Sequence, residues 1–246
     1  MIAVSVVSHG HGDMVGRLVG ELLAFPEVSQ IILTLNVPES VALPDDARVT
    51  FIGNAQPKGF GANHNAAFAC CTQTFFCPLN PDIEFDRNPF PALSAALGDK
   101  RVALVAPLVR SPDGNIEDSM RHFPTPGSLL MKALGGSDGR YIVREGEAEF
   151  SPEWVAGMFM LFRSRDFHDL GGFDERFFLY YEDVDICVRV WRKGMRILAC
   201  PKAGVIHDAR RDSRRSLRHL RWHLGSMARF LWKHRGRLPT VVDDNR

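Results

Sequence analysis

The acidic residues best placed for chemistry lie in the stretch FFLYYEDVD, at residues 177–185. Glu182, Asp183 and Asp185 follow two aromatic pairs and begin a segment with apolar residues on one side and basic residues near its end. This pattern predicts a helix that stops before Gly194, with its acids at the favourable N-terminal end. An ordinary capped helix has the same pattern. Bulky apolar neighbours, however, raise the pKa of a carboxyl group, so the stretch is also a candidate for a general base.

A short polar motif follows the apolar run at residues 75–79, which predicts a buried strand. Asn80 and Asp82 flank Pro81 at the carboxyl end of that strand. Asn-Pro-Asp is a common turn sequence. The same oxygens also suit a divalent cation that is held mostly by phosphate oxygens and water. The residues alone leave both interpretations open.

A second polar motif, at residues 56–65, combines glycines with a lysine and two asparagines. It is predicted to lead into a helix at residues 66–72, so Lys58, Gly59 and Asn63 would lie near a helix N-terminus. Unpaired backbone N–H groups at such an end bind anions readily. A plain glycine-containing connection with an Asn cap explains the pattern equally well.

The elements that connect these motifs are typical of a parallel α/β sheet. The predicted elements of the first fifty residues are strands at 2–7, 30–35 and 49–52 and a helix at 15–23. In such sheets ligands bind at the carboxyl ends of the strands. This rule places Ser8, Asn36 and Asn54 at the candidate site.

The second half of the chain has a less regular pattern. Residues 120–149 mix Pro, Gly and charge without a period, and we expect a long irregular excursion there. The run at 154–162 predicts one apolar strand, in which Gly157 marks a close approach of another group. Two short strands are predicted to follow, at residues 197–198 and 203–206. His207 ends the second of them, either as a ligand or as a satisfied core histidine.

The net charge of +1 conceals a strongly basic C-terminal segment. Residues 210–237 contain ten Lys or Arg and one Asp, a charge of +9 that leaves −8 for the remainder. With 246 residues and 45% hydrophobic composition, the chain can form one large domain with an appendage. We predict a main domain at residues 1–208 and a basic amphipathic helix and tail at 209–246.

The five cysteines form no CxxC pair and have no metal-ligand spacing. We expect buried free thiols in a reducing compartment. No basic region precedes the first apolar run, and no apolar run approaches the length of a membrane span. The expected location is therefore the cytoplasm, with peripheral attachment to the inner face of the cell membrane as a further option.

The basic segment contains apolar residues at helical spacing. Leu217, Leu220, Leu224, Met227 and Leu231 form one stripe of a helix predicted at about residues 213–233. Such a helix can lie on an anionic membrane, dock on the body of the protein or pair with a second subunit. We favour docking on the body with the basic face turned to the membrane. No motif supports binding of nucleic acid.

Taken in order, these motifs resemble glycosyltransferase family 2, which has the nucleotide-diphospho-sugar transferase (GT-A) fold. Within that family, the chain is most similar to the bacterial rhamnosyltransferase-like branch, which builds cell-surface polysaccharides. The resemblance extends from the N-terminus to about residue 233. Its motifs are Ser8-His9, Asn36, residues 58–65, Leu79 to Asp82, residues 171–175, residues 181–185 and His207. The implied fold is a mostly parallel central sheet flanked by helices, with a C-terminal amphipathic helix.

The resemblance also implies a reaction and a set of site residues. The reaction is inverting transfer of a sugar from a nucleotide diphosphate, with dTDP-L-rhamnose as the expected donor, to a saccharide or lipid-linked acceptor. Asp183 is the implied catalytic base, and Asp82 and His207 are the implied ligands of a Mn²⁺ or Mg²⁺ ion. The expected donor-binding residues are Ser8, Asn36, Lys58, Gly59, Asn63, Asn80 and Asp82. The expected acceptor-side residues are Trp154, Gly157 and Glu182.

Two departures from the family pattern concern the rim that binds the nucleotide base. Leu35-Asn36 stands where relatives have Asp-Asn, and His9-Gly10 stands where they have Tyr-Asn or Arg-Asn. These departures leave the nucleotide open. They also leave open an alternative function, that of a non-catalytic nucleotide-sugar-binding or scaffold protein of the same fold. A sugar nucleotidyltransferase is disfavoured, because the chain lacks its Gly-rich, Arg-containing loop.

Overall fold

The structure is a computed structural model, and it describes residues 1–208 and 217–241. Its first half is a parallel sheet with strand order β3-β2-β1-β4. The elements are β1 (Ile2–Ser8), α1 (Asp13–Leu23), β2 (Val28–Leu35), β3 (Val49–Gly53), α2 (Phe60–Phe68) and β4 (Phe75–Leu79). The inner strands are continuous apolar runs because both faces of the sheet are covered. The predicted parallel arrangement is confirmed.

The second half extends the same sheet in the order β9-β6-β10-β5. The remaining strands are β5 (Ile83–Glu84), β6 (Val102–Arg110), β7 (Met120–Arg121), β8 (Trp154–Val155), β9 (Leu161–Arg163) and β10 (Arg196–His207). The remaining helices are α3 (Phe90–Ala96), α4 (Pro126–Ala133), α5 (Ser164–Asp169), α6 (Glu182–Arg192) and α7 (Leu217–His234). Strand β9 runs antiparallel to both of its neighbours, so β4 and β6 share one direction. The hydrophobic core consists of two clusters, because successive strand residues such as Ala3 and Val4 pack on opposite sides.

Helix α2 begins earlier than predicted. The expected range was 66–72, but the helix runs from Phe60 to Phe68, and the Asn63 N–H already donates to the Gly59 carbonyl at 3.1 Å. Gly61 therefore lies inside the helix and not in a turn. A Cβ there would lie 2.7 Å from Phe173 Cβ, so the glycine is required by close packing.

Two strand predictions in the second half are wrong. The expected strand at 154–162 is two strands, β8 and β9, and β8 pairs with β7 in a separate two-stranded sheet. The two strands expected at 197–198 and 203–206 are the single strand β10. A register shift between Cys200 and Gly204 separates its halves, at Pro201, which has no N–H to donate to the ladder.

The excursion expected at 120–149 contains regular structure. Strand β7 and helix α4 lie within it. Thr125 and Ser128 form a capping box around Pro126 at the start of α4. A capping box marks the start of a helix locally, and it does not require a hydrophobic period along the segment.

The cysteine expectation holds for most of the thiols. All five are free, and Cys77, Cys187 and Cys200 are buried. Cys70 is exposed, so the expectation was wrong for that residue. In the described ranges, no helix has both the length and the apolar character needed to cross a bilayer.

Helix α7 packs on the body, as predicted, but only Met227 and Leu231 of the expected stripe pack against the core. Its buried residues are Ser226, Phe230 and His234. Leu217, Leu220 and Leu224 of the expected stripe are 48–80% exposed. The docking face is partly polar because the body supplies its hydrogen-bond partners, and hydrophobic spacing alone does not reveal such a face. The predicted start near Ser213 lies outside the described residues, and pairing with a second subunit stays a prediction.

Candidate active site

Asp183 lies in the first turn of α6 and lines a cavity of about 230 Å³. Its Oδ2 accepts a hydrogen bond from the Gly157 N–H at 3.0 Å, and its Oδ1 accepts one from the Val184 N–H at 2.8 Å. Burial raises the pKa of this carboxyl group, and the two N–H donors act in the opposite direction. The close approach predicted at Gly157 is therefore an approach to Asp183, and a Cβ there would lie 3.5 Å from the Asp183 Cβ.

Glu182 is the other carboxyl group of this turn, and its environment differs. Its side chain lines the same cavity, and the residue is 5% exposed. Burial and then the charge of Asp183 raise the pKa of Glu182 well above its ordinary value. Its Oε2 has no hydrogen-bond partner within the described part of the chain. The pair therefore differs in hydrogen bonding: two backbone N–H groups favour the charged form of Asp183, whereas the charge of Asp183 disfavours ionisation of Glu182.

The opposite walls of the cavity come from the segments around β7, α4 and β8. Trp154 of β8 lines it, and its Nε1–H donates to the His122 carbonyl at 2.9 Å. Arg121 also lines the cavity, but it is paired with Asp118 and Asp138. The residues expected on the acceptor side, Trp154, Gly157 and Glu182, are thus brought together with Asp183.

The turn that leads into α6 has an unusual backbone. Tyr180 and Tyr181 have φ angles of 71° and 69°, in the left-handed region that residues other than glycine rarely adopt. Such residues persist where their surroundings hold them. Helix α7 provides contacts that do so: Ser226 donates to the Leu179 carbonyl at 2.9 Å, and Tyr180 Oη bonds to His219 Nδ1 at 3.0 Å.

A buried charge cluster also joins α7 to α6. Asp185 is fully buried and contacts Arg189 Nε and His234 Nε2 at 2.8 Å each, and Lys233 Nζ at 2.5 Å. Burial opposes ionisation of Asp185, but the hydrogen bond from His234 and the charges of Arg189 and Lys233 prevail and lower its pKa. The third acid of the opening stretch is therefore structural. It fixes α7 against the helix that carries Asp183.

The predicted donor-side residues converge at the carboxyl ends of β1 to β3. Asn36 Oδ1 accepts from the Lys58 N–H at 2.8 Å and from Asn54 Nδ2 at 2.9 Å. Asn54 Nδ2 also donates to Asn63 Oδ1 at 2.7 Å. Asn36 Nδ2 bonds to His9 Nδ1 at 3.2 Å, so one residue that departs from the family pattern belongs to the same rim.

Gly59 connects this rim to the base. A Cβ at this position would lie 2.4 Å from the Phe178 carbonyl oxygen, and the neighbouring Phe60 N–H donates to that oxygen at 2.9 Å. The start of α2 therefore packs on the stretch that leads to Asp183. Because the N–H groups of Lys58 and Phe60 already have partners inside the protein, this helix end has fewer free donors for an anion than the sequence suggested.

Ser8 is buried, and it lies next to a loop occupied by a side chain that the sequence did not single out. Glu39 accepts from the N–H groups of Gly10 and Gly12 at 2.9 and 3.0 Å. Burial opposes ionisation of Glu39, but these hydrogen bonds and one from Ser8 lower its pKa overall. Glu39 follows β2 in a polar loop without a recognisable pattern, so no local signal indicated it.

Asp82 and His207 meet at the ends of β4 and β10. His207 Nε2 lies 3.3 Å from Asp82 Oδ2, and His207 Nδ1 lies 2.7 Å from Glu117 Oε2. Glu117 was missed from the sequence, because 90 residues separate it from His207. A carboxylate on the far nitrogen fixes the tautomer of a ligating histidine. This arrangement leaves Nε2 of His207 free to face Asp82.

These residues fit a divalent metal ion that also binds the donor. Asp82 Oδ1 is buried and has no hydrogen-bond partner among the described residues. In the same ranges no group of three or more His, Cys, Asp or Glu side chains forms a complete metal cage. Two protein ligands with an orphaned carboxylate oxygen suit an ion that is completed by phosphate oxygens and water.

Asn80 connects its motif to the segment that contacts Asp183. Its N–H donates to the Met158 carbonyl at 2.9 Å, and the adjacent Gly157 N–H donates to Asp183. The segment before β9 thus contacts both the Asn-Pro-Asp motif and the turn that carries Asp183.

Comparison with known proteins identifies the family. A family profile described as "Glycosyl transferase family group 2" matches residues 138–241. The rhamnosyltransferase WbbL of Escherichia coli K12 is 31% identical over 250 aligned positions, which cover 96% of this chain and 94% of WbbL. The N-acetylglucosaminyl-diphospho-decaprenol L-rhamnosyltransferase of Mycobacterium tuberculosis H37Rv is 33% identical over 165 positions. These aligned positions cover 62% of this chain and 53% of the mycobacterial protein.

Solved structures show the same fold at low identity. GalNAc-T7 with UDP, GalNAc and Mn²⁺ superposes with a TM-score of 0.68 at 16% identity, over 86% of this chain and 44% of that one. The mannosyltransferase PcManGT of Pyrobaculum calidifontis, with GDP-Man and Mn²⁺, superposes with a TM-score of 0.57 at 15% identity, over 93% and 64% of the two chains. The similarity to WbbL over nearly the whole of both chains carries the assignment: the protein belongs to the rhamnosyltransferase-like branch of glycosyltransferase family 2 and has the GT-A fold.

Proposed function

We propose that the protein transfers L-rhamnose from dTDP-L-rhamnose to a hydroxyl group of a lipid-linked saccharide, with inversion at the anomeric carbon. The observation that carries this proposal is Asp183, a partly buried carboxylate with two N–H donors at the wall of a 230 Å³ cavity. The rhamnosyl group and the lipid-linked acceptor are inferred from the names of the relatives. A catalytically silent protein of this fold would have no need of such a carboxylate.

Asp183 acts as the general base in this proposal. Its carboxylate takes the proton of the acceptor hydroxyl while that oxygen attacks the anomeric carbon from the face opposite the diphosphate. The bond between that carbon and the phosphate oxygen breaks, and the nucleotide diphosphate leaves with the electron pair. A pKa raised by burial makes the carboxylate a stronger base, and a positioned base of this kind contributes roughly 10²- to 10⁴-fold to the rate.

Asp82 and His207 would hold a Mn²⁺ or Mg²⁺ ion at the donor diphosphate. When bound, the ion would supply positive charge that stabilises the leaving group. Glu117 accepts a hydrogen bond from the Nδ1–H of His207, which keeps Nε2 available as the ligand. The orphaned Oδ1 of Asp82 supports this role, because a buried carboxylate oxygen without a partner is otherwise costly.

The donor nucleotide would lie along the rim formed by the ends of β1 to β3. Ser8, Asn36, Lys58, Gly59, Asn63 and Asn80 are the residues proposed to bind it. The amide network around Asn36 supports this assignment, since it holds the rim rigid before any ligand arrives.

The outer face of α7 is proposed to contact an anionic membrane, where a lipid-linked acceptor resides. Leu220 and Leu224 are about half exposed, and Arg218 and Arg221 lie on the same exposed surface. Exposed leucines beside arginines are typical of a helix at a membrane interface.

A panel of nucleotide sugars tests the proposal directly. The purified protein is incubated with dTDP-rhamnose and with UDP-, GDP- and other dTDP-sugars, in Mn²⁺, Mg²⁺ or EDTA, and release of the nucleotide diphosphate is measured. Among these donors, we expect only dTDP-rhamnose to release its nucleotide diphosphate, slowly and in a metal-dependent manner. Tight binding of one nucleotide sugar without turnover, in the presence of a lipid-linked acceptor, would favour the non-catalytic alternative. Failure to bind any of them would refute a transferase function.

A further inference from the structure

A second cavity, of about 370 Å³, lies between the start of α4 and the end of α7. Pro124 lines both this groove and the cavity that contains Asp183, so the two are adjacent. We call it the α4–α7 groove. None of the residues assigned above to the donor, the metal ion or the base lines it. Its lining residues are Pro124, Thr125, Pro126, Phe230, Leu231, His234, Arg235, Gly236, Arg237 and Leu238.

The walls of the α4–α7 groove are mostly apolar. Phe230 forms its buried floor, and Leu231 and Leu238 are only partly covered. Leaving such a concave apolar surface in water is unfavourable, and such surfaces commonly mark binding sites. Arg235 and Arg237 are exposed at the same groove and give it positive charge.

The parts of the sequence outside the described ranges are poor candidates to fill the groove. Residues 209–216 read ARRDSRRS and residues 242–246 read VDDNR. Between them they contain one alanine and one valine as apolar side chains. A groove of this size lined by Phe230, Leu231 and Leu238 calls for a longer hydrocarbon surface.

We infer that the α4–α7 groove binds the hydrocarbon chain of the lipid-linked acceptor, whose sugar occupies the cavity beside Asp183. The inference rests on the proposed function, since it extends the acceptor site of that reaction. A lipid-linked sugar has its parts in a fixed order: sugar, phosphate and hydrocarbon. The protein offers two adjacent surfaces that suit the two ends of such a molecule, namely the cavity lined by Asp183 and an apolar groove with basic residues, which meet at Pro124.

The inference assigns the end of α7 a role in substrate selection. The same helix turn that fixes α6 through His234 and Lys233 also forms the groove with Phe230 and Leu231. A chain bound there would hold the sugar close to Asp183 before reaction. Acceptors with a long chain should therefore have a lower KM than acceptors with a short one.

Binding of farnesyl diphosphate to the full chain tests the groove without turnover. Affinity is measured by calorimetry below the micelle concentration, with inorganic diphosphate as the reference ligand. We expect farnesyl diphosphate to bind at least about ten-fold more tightly than inorganic diphosphate, because burial of its hydrocarbon chain in the groove favours binding. Equal affinities would overturn the inference.

Substitutions locate the binding surface. Leu238→Trp fills the groove, and Leu231→Gln makes its wall polar; each should weaken farnesyl diphosphate binding by ten-fold or more. Leu238 follows the helix in a segment without regular structure, so Leu238→Ala serves as a second, milder variant with an intermediate loss. Leu130→Gln, at an exposed leucine of α4 outside the groove, is the matched control and should bind as the wild type does. Unchanged affinity in both Leu238→Trp and Leu231→Gln would overturn the inference.

Kinetics separates this inference from the function on which it rests. With an acceptor of short chain and one of long chain, the wild type should show a lower KM for the long one at similar kcat, and Leu238→Trp should remove that difference. Transfer to both acceptors at equal KM would refute the groove and leave the transferase assignment intact. Absence of transfer to either acceptor, with no nucleotide sugar bound, would refute the transferase proposal itself.

Discussion

At the residue scale, Glu182 and Asp183 are adjacent carboxyl groups in one turn, but their hydrogen bonding differs. Asp183 accepts hydrogen bonds from the N–H groups of Gly157 and Val184, whereas Glu182 Oε2 has no partner within the described residues. Burial raises the pKa of both groups, and the charge of Asp183 raises that of Glu182 further. The two hydrogen bonds favour the charged form of Asp183, which makes it the better candidate for a base.

The role proposed for Glu117 can be tested without turnover, and so independently of the base. We expect Glu117→Ala to weaken the apparent affinity for Mn²⁺ by roughly 10- to 100-fold, because His207 loses the group that fixes its tautomer and orientation. Mn²⁺ binding is measured by electron paramagnetic resonance without turnover, and then as the metal dependence of nucleotide release.

Two controls accompany this measurement. Glu117→Gln keeps a hydrogen-bond acceptor for His207 and should restore part of the affinity. Glu145→Ala removes an exposed carboxylate that pairs with Arg110 and should have no effect on Mn²⁺. An unchanged Mn²⁺ affinity in Glu117→Ala would contradict the assignment of His207 as a ligand.

At the scale of the elements, the site is assembled by the close approach of α2, the 177–181 stretch and α7. Gly59 lets α2 begin against the Phe178 carbonyl. Ser226 and His219 of α7 hold the left-handed tyrosines from the other side. The catalytic turn is thus held between two helices that are far apart in sequence.

Paired glycine substitutions test this packing. Gly59→Ala would place a Cβ 2.4 Å from a backbone oxygen that cannot move away easily, so it should lower the free energy of unfolding by about 1–3 kcal/mol. Gly20→Ala, inside α1 with no atom within 4 Å of the new Cβ, should raise it by about 0.5–1 kcal/mol through helix propensity. Urea unfolding measures both. A Gly59→Ala protein as stable as the wild type would show that α2 does not pack here as described.

The sequence predicted these elements unevenly, and the reasons are physical. The N-terminal strands were predictable because continuous apolar runs reflect burial on both faces. The start of α2 was misplaced because Gly61 suggested a turn, whereas its cause is a contact with Phe173, more than 100 residues away. The strand at 154–162 was wrong because β8 pairs with β7 in a separate sheet, whereas β9 joins the central sheet. In each case a distant contact outweighed the local pattern.

The same reasoning applies to the candidate site. Asp82, Asp183 and His207 were indicated by their positions after predicted strands or at a helix start and by resemblance to the family. Glu117 and Glu39 were not indicated, because each is defined by a partner in space and not by a motif. The docking face of α7 was only partly predicted: Met227 and Leu231 pack on the core, but Ser226 and His234 are polar residues whose partners belong to the body.

At the scale of the whole molecule, charge and apolar surface are arranged around the acceptor cavity. Its rim includes Lys132 of α4 and His223 of α7, and the exposed leucines and arginines of α7 continue beyond it. The molecule would therefore meet a membrane with the side that opens towards Asp183. Such an orientation lets a lipid-linked sugar reach the base without leaving the bilayer surface.

Charge reversal on α7 tests this orientation. We expect Arg218→Glu combined with Arg221→Glu to abolish sedimentation with vesicles of 30% phosphatidylglycerol, because each basic residue near an anionic surface contributes about 1 kcal/mol. Binding of the wild type should weaken with salt as screening increases. The pair Arg17→Glu and Arg165→Glu, on other helices, serves as the control. Equal sedimentation of the α7 variant and the wild type would exclude this face as the membrane contact.

The central claim is that Asp183 is the base of a glycosyl transfer, and one comparison tests it most directly. Release of dTDP from dTDP-rhamnose in the presence of a lipid-linked acceptor is measured for the wild type, Asp183→Asn and Glu182→Gln, with donor affinity measured in parallel. We predict that Asp183→Asn loses roughly 10²- to 10⁴-fold in rate with donor affinity unchanged. Glu182→Gln should lose far less, because glutamine keeps the size of the side chain and Glu182 takes no proton in the proposed reaction. Turnover by Asp183→Asn within a few-fold of the wild type would contradict the claim.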